Sequence, residues 1–594
     1  MTHALSRRAA VGLLGAAAVP WPAAATPAPS GPDRAFDDLA ARWLDAATRL
    51  SPVFATQVGD HRFDAELDDL SPAGCAAVTA SDRALLADLD GLPVARLSRP
   101  RQIDAAILAN KLRFDIWTAE SLQSWAWDPL IYNELAGDAL YLLMAREFAP
   151  APARLASASA RMEKLPALLA QARVNLDPAR VPLVHAQTVA MQNKGIIALA
   201  NDLIAPRAGE LAPPARARLE AAIAGLRAAV NAHQAWIEGT LVPGAKGDFR
   251  LGARLYDAKL AFALQSPLGR AEIRRRAEAA VVATRAGMYG LARGVLMGRA
   301  GAPPTPETPT PAEQQGAINA ALDIAAADRP ARDQVVEAAK TGLDQATAFV
   351  KARDLITLPT APVKVILMPE FQRGVAVAYC DQPGPLDKGL DTFYAVSPIP
   401  AEWSEARATS FLREYNRRGI DDIATHEAMP GHYVQLAHAN AYPSILRSVL
   451  WSGPFVEGWA VYAETMMAQE GFQGGDPLYK LVVMKTRLRS ITNAILDQAI
   501  HVDGMSRESA MALMMETAFQ EEGEAAGKWI RASVSSAQLP FYFVGSEEHW
   551  DIRREAERRW GKDFTLKRYH DTVLSFGSPP ARFARAAMFD EAIA

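Results

Sequence analysis

Thr425-His426-Glu427-Ala428-Met429-Pro430-Gly431-His432 is the stretch on which the reading of this chain turns. A histidine followed directly by a glutamate opens the zinc-hydrolase signature, in which the imidazole holds the metal and the carboxylate works on water. In the common form the second histidine follows four residues after the first, on the same face of one helix. Here it follows six residues after the first. At about 100° per residue, that leaves His432 roughly 120° away from His426 on a straight helix. Pro430 has no N–H to give the carbonyl of His426, and its ring crowds that turn. Gly431 opens backbone angles closed to other residues. The pair predicts a helix that breaks or bulges here and swings His432 back toward His426. The alternative is a helix that merely ends at Pro430, beside two ordinary histidines.

A second stretch, Val456-Glu457-Gly458-Trp459-Ala460-Val461-Tyr462-Ala463-Glu464, begins its acidic pair 25 residues after His432. Three protein ligands and a water form the usual catalytic zinc site, and Glu457 offers the third ligand. Together the two stretches resemble a bacterial zinc-peptidase-like family catalogued as domain of unknown function 885. That family carries His-Glu-x-x-Pro-Gly-His and, downstream, Glu-Gly-Trp-Ala-x-Tyr-x-Glu. The second stretch also resembles the Asn-Glu-Gly-Phe-Ala segment of aminopeptidase N relatives, whose glutamate binds zinc. The resemblance implies Zn²⁺ held by His426, His432 and Glu457, with Glu427 as general base and then acid. Glu464 lies seven residues after Glu457, on nearly the same helical face but about 10 Å further along the axis. Both cannot bind one ion directly, so Glu464 is expected to hold a ligand imidazole by its other nitrogen.

Composition sets the frame around these motifs. The chain has 594 residues, 50% of them apolar and 22% charged, enough for a large core. A net charge of −4 gives no reason to expect nucleic acid as a partner. At the N-terminus, Ser6-Arg7-Arg8 precedes an apolar run from Ala9 to Val19, and Ala23-Ala24-Ala25 offers a small-residue cleavage site. The run is too short for a stable membrane anchor, and the paired arginines match a twin-arginine signal. A periplasmic or secreted protein starting near Thr26 is expected. The cysteines, Cys75 and Cys380, lack the spacing of a zinc-thiolate site and are read as free.

From Ala35 to about Asp354 the apolar residues recur at three and four, the period of amphipathic helices. Ser51-Pro52, Ser71-Pro72 and Ala149-Pro150-Ala151-Pro152 mark breaks, Gly301–Ala312 reads as a loop, and Pro166 should kink or restart its helix. Then the period changes. Val363–Leu367, Gly374–Tyr379 and Asp391–Val396 are three short runs rich in β-branched and aromatic residues, which suggest a small antiparallel sheet. Its edge could hold a peptide substrate by strand addition. Ser404 and Asp421 are read as N-caps, Asp421 for the helix carrying His426. Another helix from about Leu478 to His501 has Lys485, Arg489, Asn493, Asp497 and His501 at intervals of four. The resemblance includes an Asp four residues before that final His, whereas Asn493 departs from an arginine common in the family. It also covers Ser536–Gly545 with Tyr542, then Tyr569-His570 and Gly577-Ser578-Pro579.

The expected architecture is mainly α. It is a large helical, two-lobed zinc-peptidase-like fold with a small antiparallel sheet at the active-site cleft, and the resemblance implies a thermolysin-like catalytic core. The expected organisation is a signal peptide over 1–25, a helical region over 26–355 and a catalytic region over 356–594. The expected activity is hydrolysis of peptide bonds, with Glu427 as base and Tyr542 or His501 steadying the oxyanion. Arg531, upstream of Tyr542, is a candidate clamp for a substrate carboxylate. A zinc-dependent amidase or esterase on another substrate, and a binding protein that keeps the zinc site without catalysis, remain open; the intact Glu427 counts against the latter.

Overall fold

The computed structural model describes residues 31–368 and 377–593. The export segment, and Gly374, Val375 and Ala376 of the second β-branched run, lie outside these. The described chain is mainly helical, with one three-stranded sheet.

The amphipathic pattern becomes packing at once. The helix Gly31–Leu50 turns Phe36, Leu39 and Trp43 inward against Leu85, Leu89, Leu108 and Leu112. Full burial of each such side chain stabilises by about 1.5–3 kcal/mol. The predicted breaks fall at helix starts, at Pro52, Pro72 and Ala151. The Pro- and Thr-rich loop ends where Thr310 and Glu313 cap the helix Pro311–Ala327 reciprocally. Pro166 does not restart its helix, which continues from Ala151 to Asn175. Leu165, Leu168 and Leu169 around it are at most 1% exposed, so packing outweighs the one lost backbone bond.

Residues on the two sides of position 355 share core clusters. The helix Val335–Ala352 packs into the same cluster as Ala424, Trp459 and Tyr569. Leu260, Met288 and Ile318 likewise share a cluster with Leu488, Ile491 and Val544.

Strands β1 (Val363–Leu367), β2 (Ala378–Asp381) and β3 (Thr392–Val396) lie in the order β1-β3-β2. β3 runs parallel to β1 and antiparallel to β2. The sheet is therefore mixed rather than antiparallel. Tyr394, Ala395 and Val396 are at most 2% exposed, and β3, the most buried of the three strands, takes the centre. The chain between β1 and β2 is long enough to step across two strand spacings, about 10 Å. β2 is left as an edge.

Helices from the first half of the chain grip that edge. Arg146 Nη2 lies 2.8 Å from Asp381 Oδ1, and the Tyr141 hydroxyl donates to Oδ2 at 3.1 Å. His61 stands between Asp64 and Asp387, 3.0 Å from each, with its ring stacked 3.7 Å from that of Phe148.

Candidate metal centre

The first ligand helix, Arg417–Glu427, is capped by Asn416, whose side chain accepts the N–H of Gly419. Asp421, expected as the cap, lies inside it. Asn416 starts the helix a turn earlier and leaves Asp421 to accept a bond from Gln473 at 2.9 Å. The helix ends at Glu427, and the second ligand helix begins at His432 and runs to Asn440. The peptide bond between Met429 and Pro430 is cis. Gly431 lies against the carbonyl of His426, where a Cβ would stand 1.8 Å from that oxygen. Trp459, fully buried, donates its indole N–H to the Pro430 carbonyl at 2.8 Å and ties the break to the next helix. The imidazoles of His426 and His432 thereby meet edge to face, with centroids 4.7 Å apart.

Glu457 comes from the glutamate helix, Gly453–Gln469, which Ser452 caps. Gly458 next to it packs on the backbone of Gly545, where a Cβ would come within 2.2 Å. Only glycines permit so close a crossing. It sets Glu457 beside Tyr542, one turn before Gly545 on the helix Pro540–Trp560.

Three ligand atoms converge. Oε2 of Glu457 lies 3.6 Å from Nε2 of His426 and 3.5 Å from Nε2 of His432. Ligands about 2.0–2.1 Å from a tetrahedral zinc stand about 3.3–3.4 Å from one another. That oxygen makes no hydrogen bond although it is buried. A buried carboxylate oxygen with two imidazole nitrogens around it and no bond of its own fits a cation between them, and one carboxylate with two imidazoles suits zinc. His426, His432 and Glu457 could hold it, the one such group among the described residues.

The surroundings complete the arrangement. Nδ1 of His426 lies 2.5 Å from Oε1 of Glu464, which is 2% exposed. A carboxylate on the far nitrogen is the usual way a ligating imidazole is oriented. Burial opposes charge on His426, but Glu457 and Glu464 hold the ring well above its ordinary range. Burial also disfavours charge on Glu457, yet the two imidazoles hold it well below the usual carboxylate range. Glu427 is pushed up by burial, with both imidazoles acting against the rise. Its Oε2 accepts the backbone N–H of Cys380 on β2 at 2.9 Å.

Of the two expected oxyanion donors, the structure sets one beside Glu457. Burial and the Glu457 carboxylate raise the Tyr542 phenol, whose oxygen accepts from Arg531 at 3.0 Å. His501 is elsewhere. It ends the long helix Pro477–His501. Its Nε2 is bonded to the Ala532 carbonyl at 2.9 Å. Its ring lines a separate cavity of about 200 Å³ with His185, Lys259 and Phe249. Asp497, one turn earlier, accepts from the Tyr256 hydroxyl and the Ala537 N–H, and so anchors the loop that leads to Tyr542. Cys75 and Cys380 are free.

Two contributors had no signal in the sequence. Cys380 acts through its backbone, which any residue but proline supplies. Arg489 meets Glu524 and Lys528, which share another helix, and only the stripe containing Arg489 hinted at one of them.

The site's geometry can be set beside known proteins. A lipoprotein candidate of unknown function from Shewanella oneidensis is 34% identical, with a TM-score of 0.78 over 93% of this chain and 99% of the other. Another lipoprotein candidate, from Colwellia psychrerythraea, is 17% identical, with a TM-score of 0.76 over 93% and 98% of the two chains. The second likeness shows the fold alone. No curated protein matches the chain. The profile of a bacterial protein family of unknown function, DUF885, matches residues 52–588. The chain belongs to the DUF885 family.

Proposed function

We propose that this protein is an exported zinc-dependent metallopeptidase. The observation that carries the reading is the convergence of Glu457 Oε2 on two imidazole Nε2 atoms, at 3.5 and 3.6 Å, with Glu427 next in sequence to one of them. Zinc bound there would supply a water of pKa near 7 and a Lewis acid for the substrate carbonyl.

The protein's own groups do the rest. Glu427 takes the proton of the attacking water and delivers it to the leaving amine. The Cys380 N–H steadies its carboxylate between those steps. Tyr542 accepts from Arg531, which leaves the phenol proton free to meet the oxyanion; one such donor is commonly worth about 3 kcal/mol. β2 is an edge of the sheet, and its Cys380 N–H donates to Glu427, which supports binding of the substrate backbone along that edge beside the base.

The Arg7-Arg8 signal-like segment supports export. Two structural neighbours described as lipoprotein candidates agree with an envelope protein. No described helix is long and apolar enough to cross a membrane.

A mixed peptide library incubated with the zinc-loaded protein, with and without a chelator, tests the reading. New amines should appear, stop with the chelator and return with zinc. Amine release that a chelator does not touch, or none at all, would overturn it.

A further inference from the structure

The helix Glu522–Val534 carries Lys528 and Arg531 three residues apart, on one face. Arg531 donates from Nη2 to the Tyr542 hydroxyl and to Oε1 of Gln538, each at 3.0 Å. Both acceptors are neutral. Lys528 is 5% exposed. Among the described residues its ammonium donates no hydrogen bond, and it stands 3.9 Å from Oε1 of Glu524.

That carboxylate is already engaged. Glu524 accepts from the Tyr415 hydroxyl at 2.8 Å and lies 3.3 Å from Nη1 of Arg489. Glu414 nearby is held by Lys485 at 2.8 Å and by the N–H of Glu521 at 3.0 Å. Arg489 and Lys528 thus share the Glu524 carboxylate, while Arg531 pairs with no carboxylate among the described residues. Burial, with Arg489 adding to it, pulls Lys528 down to about 7 against the opposing pull of Glu524. Lys528 is thus held only by a shared carboxylate at 3.9 Å, and an arriving anion would give its ammonium a partner of its own.

Arg531 lies on the metal side of the molecule. Arg531 holds Tyr542, and Tyr542 is one turn from the glycine crossing that seats Glu457. We propose that Lys528 and Arg531 bind the C-terminal carboxylate of the substrate, so that the enzyme works from the free C-terminal end of peptides. This rests on the metallopeptidase reading above. The Arg531 fork can take both carboxylate oxygens, and Lys528 adds a point charge. An amidated or internal segment offers no such group.

The zinc-loaded protein is given short peptides as free acids and as C-terminal amides, and the products are identified by mass spectrometry. The free acids should be cleaved better by about tenfold or more, the scale of a charged hydrogen-bonded contact, and release C-terminal fragments. Arg531→Gln and Lys528→Met should bring the ratio toward one, mainly through KM, while Arg531→Lys keeps part of the preference. Thermal melting checks that each variant is folded. Equal cleavage of acids and amides by the wild type, or an unchanged ratio in folded Arg531→Gln, overturns the clamp and leaves the metallopeptidase standing. If neither peptide is cleaved, calorimetry on the same protein decides. Tighter binding of the acid that disappears in Arg531→Gln supports the clamp without the activity, and equal or absent binding overturns both.

Discussion

Glu464 and His426 sit 2.5 Å apart, carboxylate Oε1 to imidazole Nδ1, while Glu457, two turns earlier on the same helix, faces the other nitrogen of that ring. One helix thus addresses both sides of a single imidazole. The two glutamates should respond differently to removal. Glu457→Ala is expected to abolish most zinc retention after dialysis. Glu464→Ala should weaken it by about ten- to a hundredfold, the usual cost of losing the group that orients a ligand. Metal content of both variants decides the matter; zinc kept by Glu457→Ala and lost by Glu464→Ala would exchange their roles.

Glu427→Gln removes proton transfer and keeps the shape of the side chain. It should bind zinc like the wild type and hydrolyse peptides about a hundredfold more slowly or worse. Turnover at the wild-type rate would end the assignment of Glu427 as base.

Gly431→Ala places a Cβ 1.8 Å from the His426 carbonyl oxygen. The backbone must move, at a cost of about 1–3 kcal/mol for an overpacked site. Because the moved segment carries His432, zinc affinity should fall with the melting temperature. A variant that melts and binds zinc as the wild type does would show that the close approach is not needed.

Zinc should also stabilise the fold. A ligand that binds the native state alone adds about 2.7 kcal/mol at a hundred times its Kd. Saturating zinc should raise the melting temperature of the metal-free wild type and leave that of Glu457→Ala nearly unchanged. Equal shifts in the two proteins would place the stabilising ion elsewhere.

His61 gives a pH dependence remote from the metal. Burial opposes its charge, but the bonds to Asp387 and Asp64 prevail and hold the ring up to about 9, against an ordinary 6.5. A pKa raised by folding means the folded state holds the proton more tightly. The stabilisation is therefore full below about 6.5 and fades as pH climbs through about 9. His61→Gln should be less stable than the wild type at pH 6 and approach it above pH 9. A gap that widens at high pH would contradict the charged pairing.

Much of this was legible beforehand because the chemistry sits in side chains at fixed spacing. The six-residue step from His426 to His432 demanded a break, and Pro430-Gly431 supplied one. Glu457 announced itself by residue type and neighbours. The strands were visible in β-branched runs, but pairing is a long-range choice that local sequence does not encode, so the parallel partnership of β1 and β3 was missed. The four-residue stripe ending at His501 identified one helix face without saying what the end of that face meets. Asp421 had the right chemistry for a cap, and Asn416, five residues earlier, had it too. The Cys380 N–H left no trace because backbone groups are common to every residue.

Tyr141 and Arg146 hold Asp381, the neighbour of the residue whose N–H steadies Glu427, and they come from the opposite half of the chain. A fragment beginning after residue 355 would carry His426, His432, Glu457 and Glu427 and the pairing of β2 with β3, yet it would lose the side chains that hold the outer side of β2. The half that carries the motif is therefore not a portable module, and recombination that exchanged the first half for an unrelated sequence would pass on the motif without these supports.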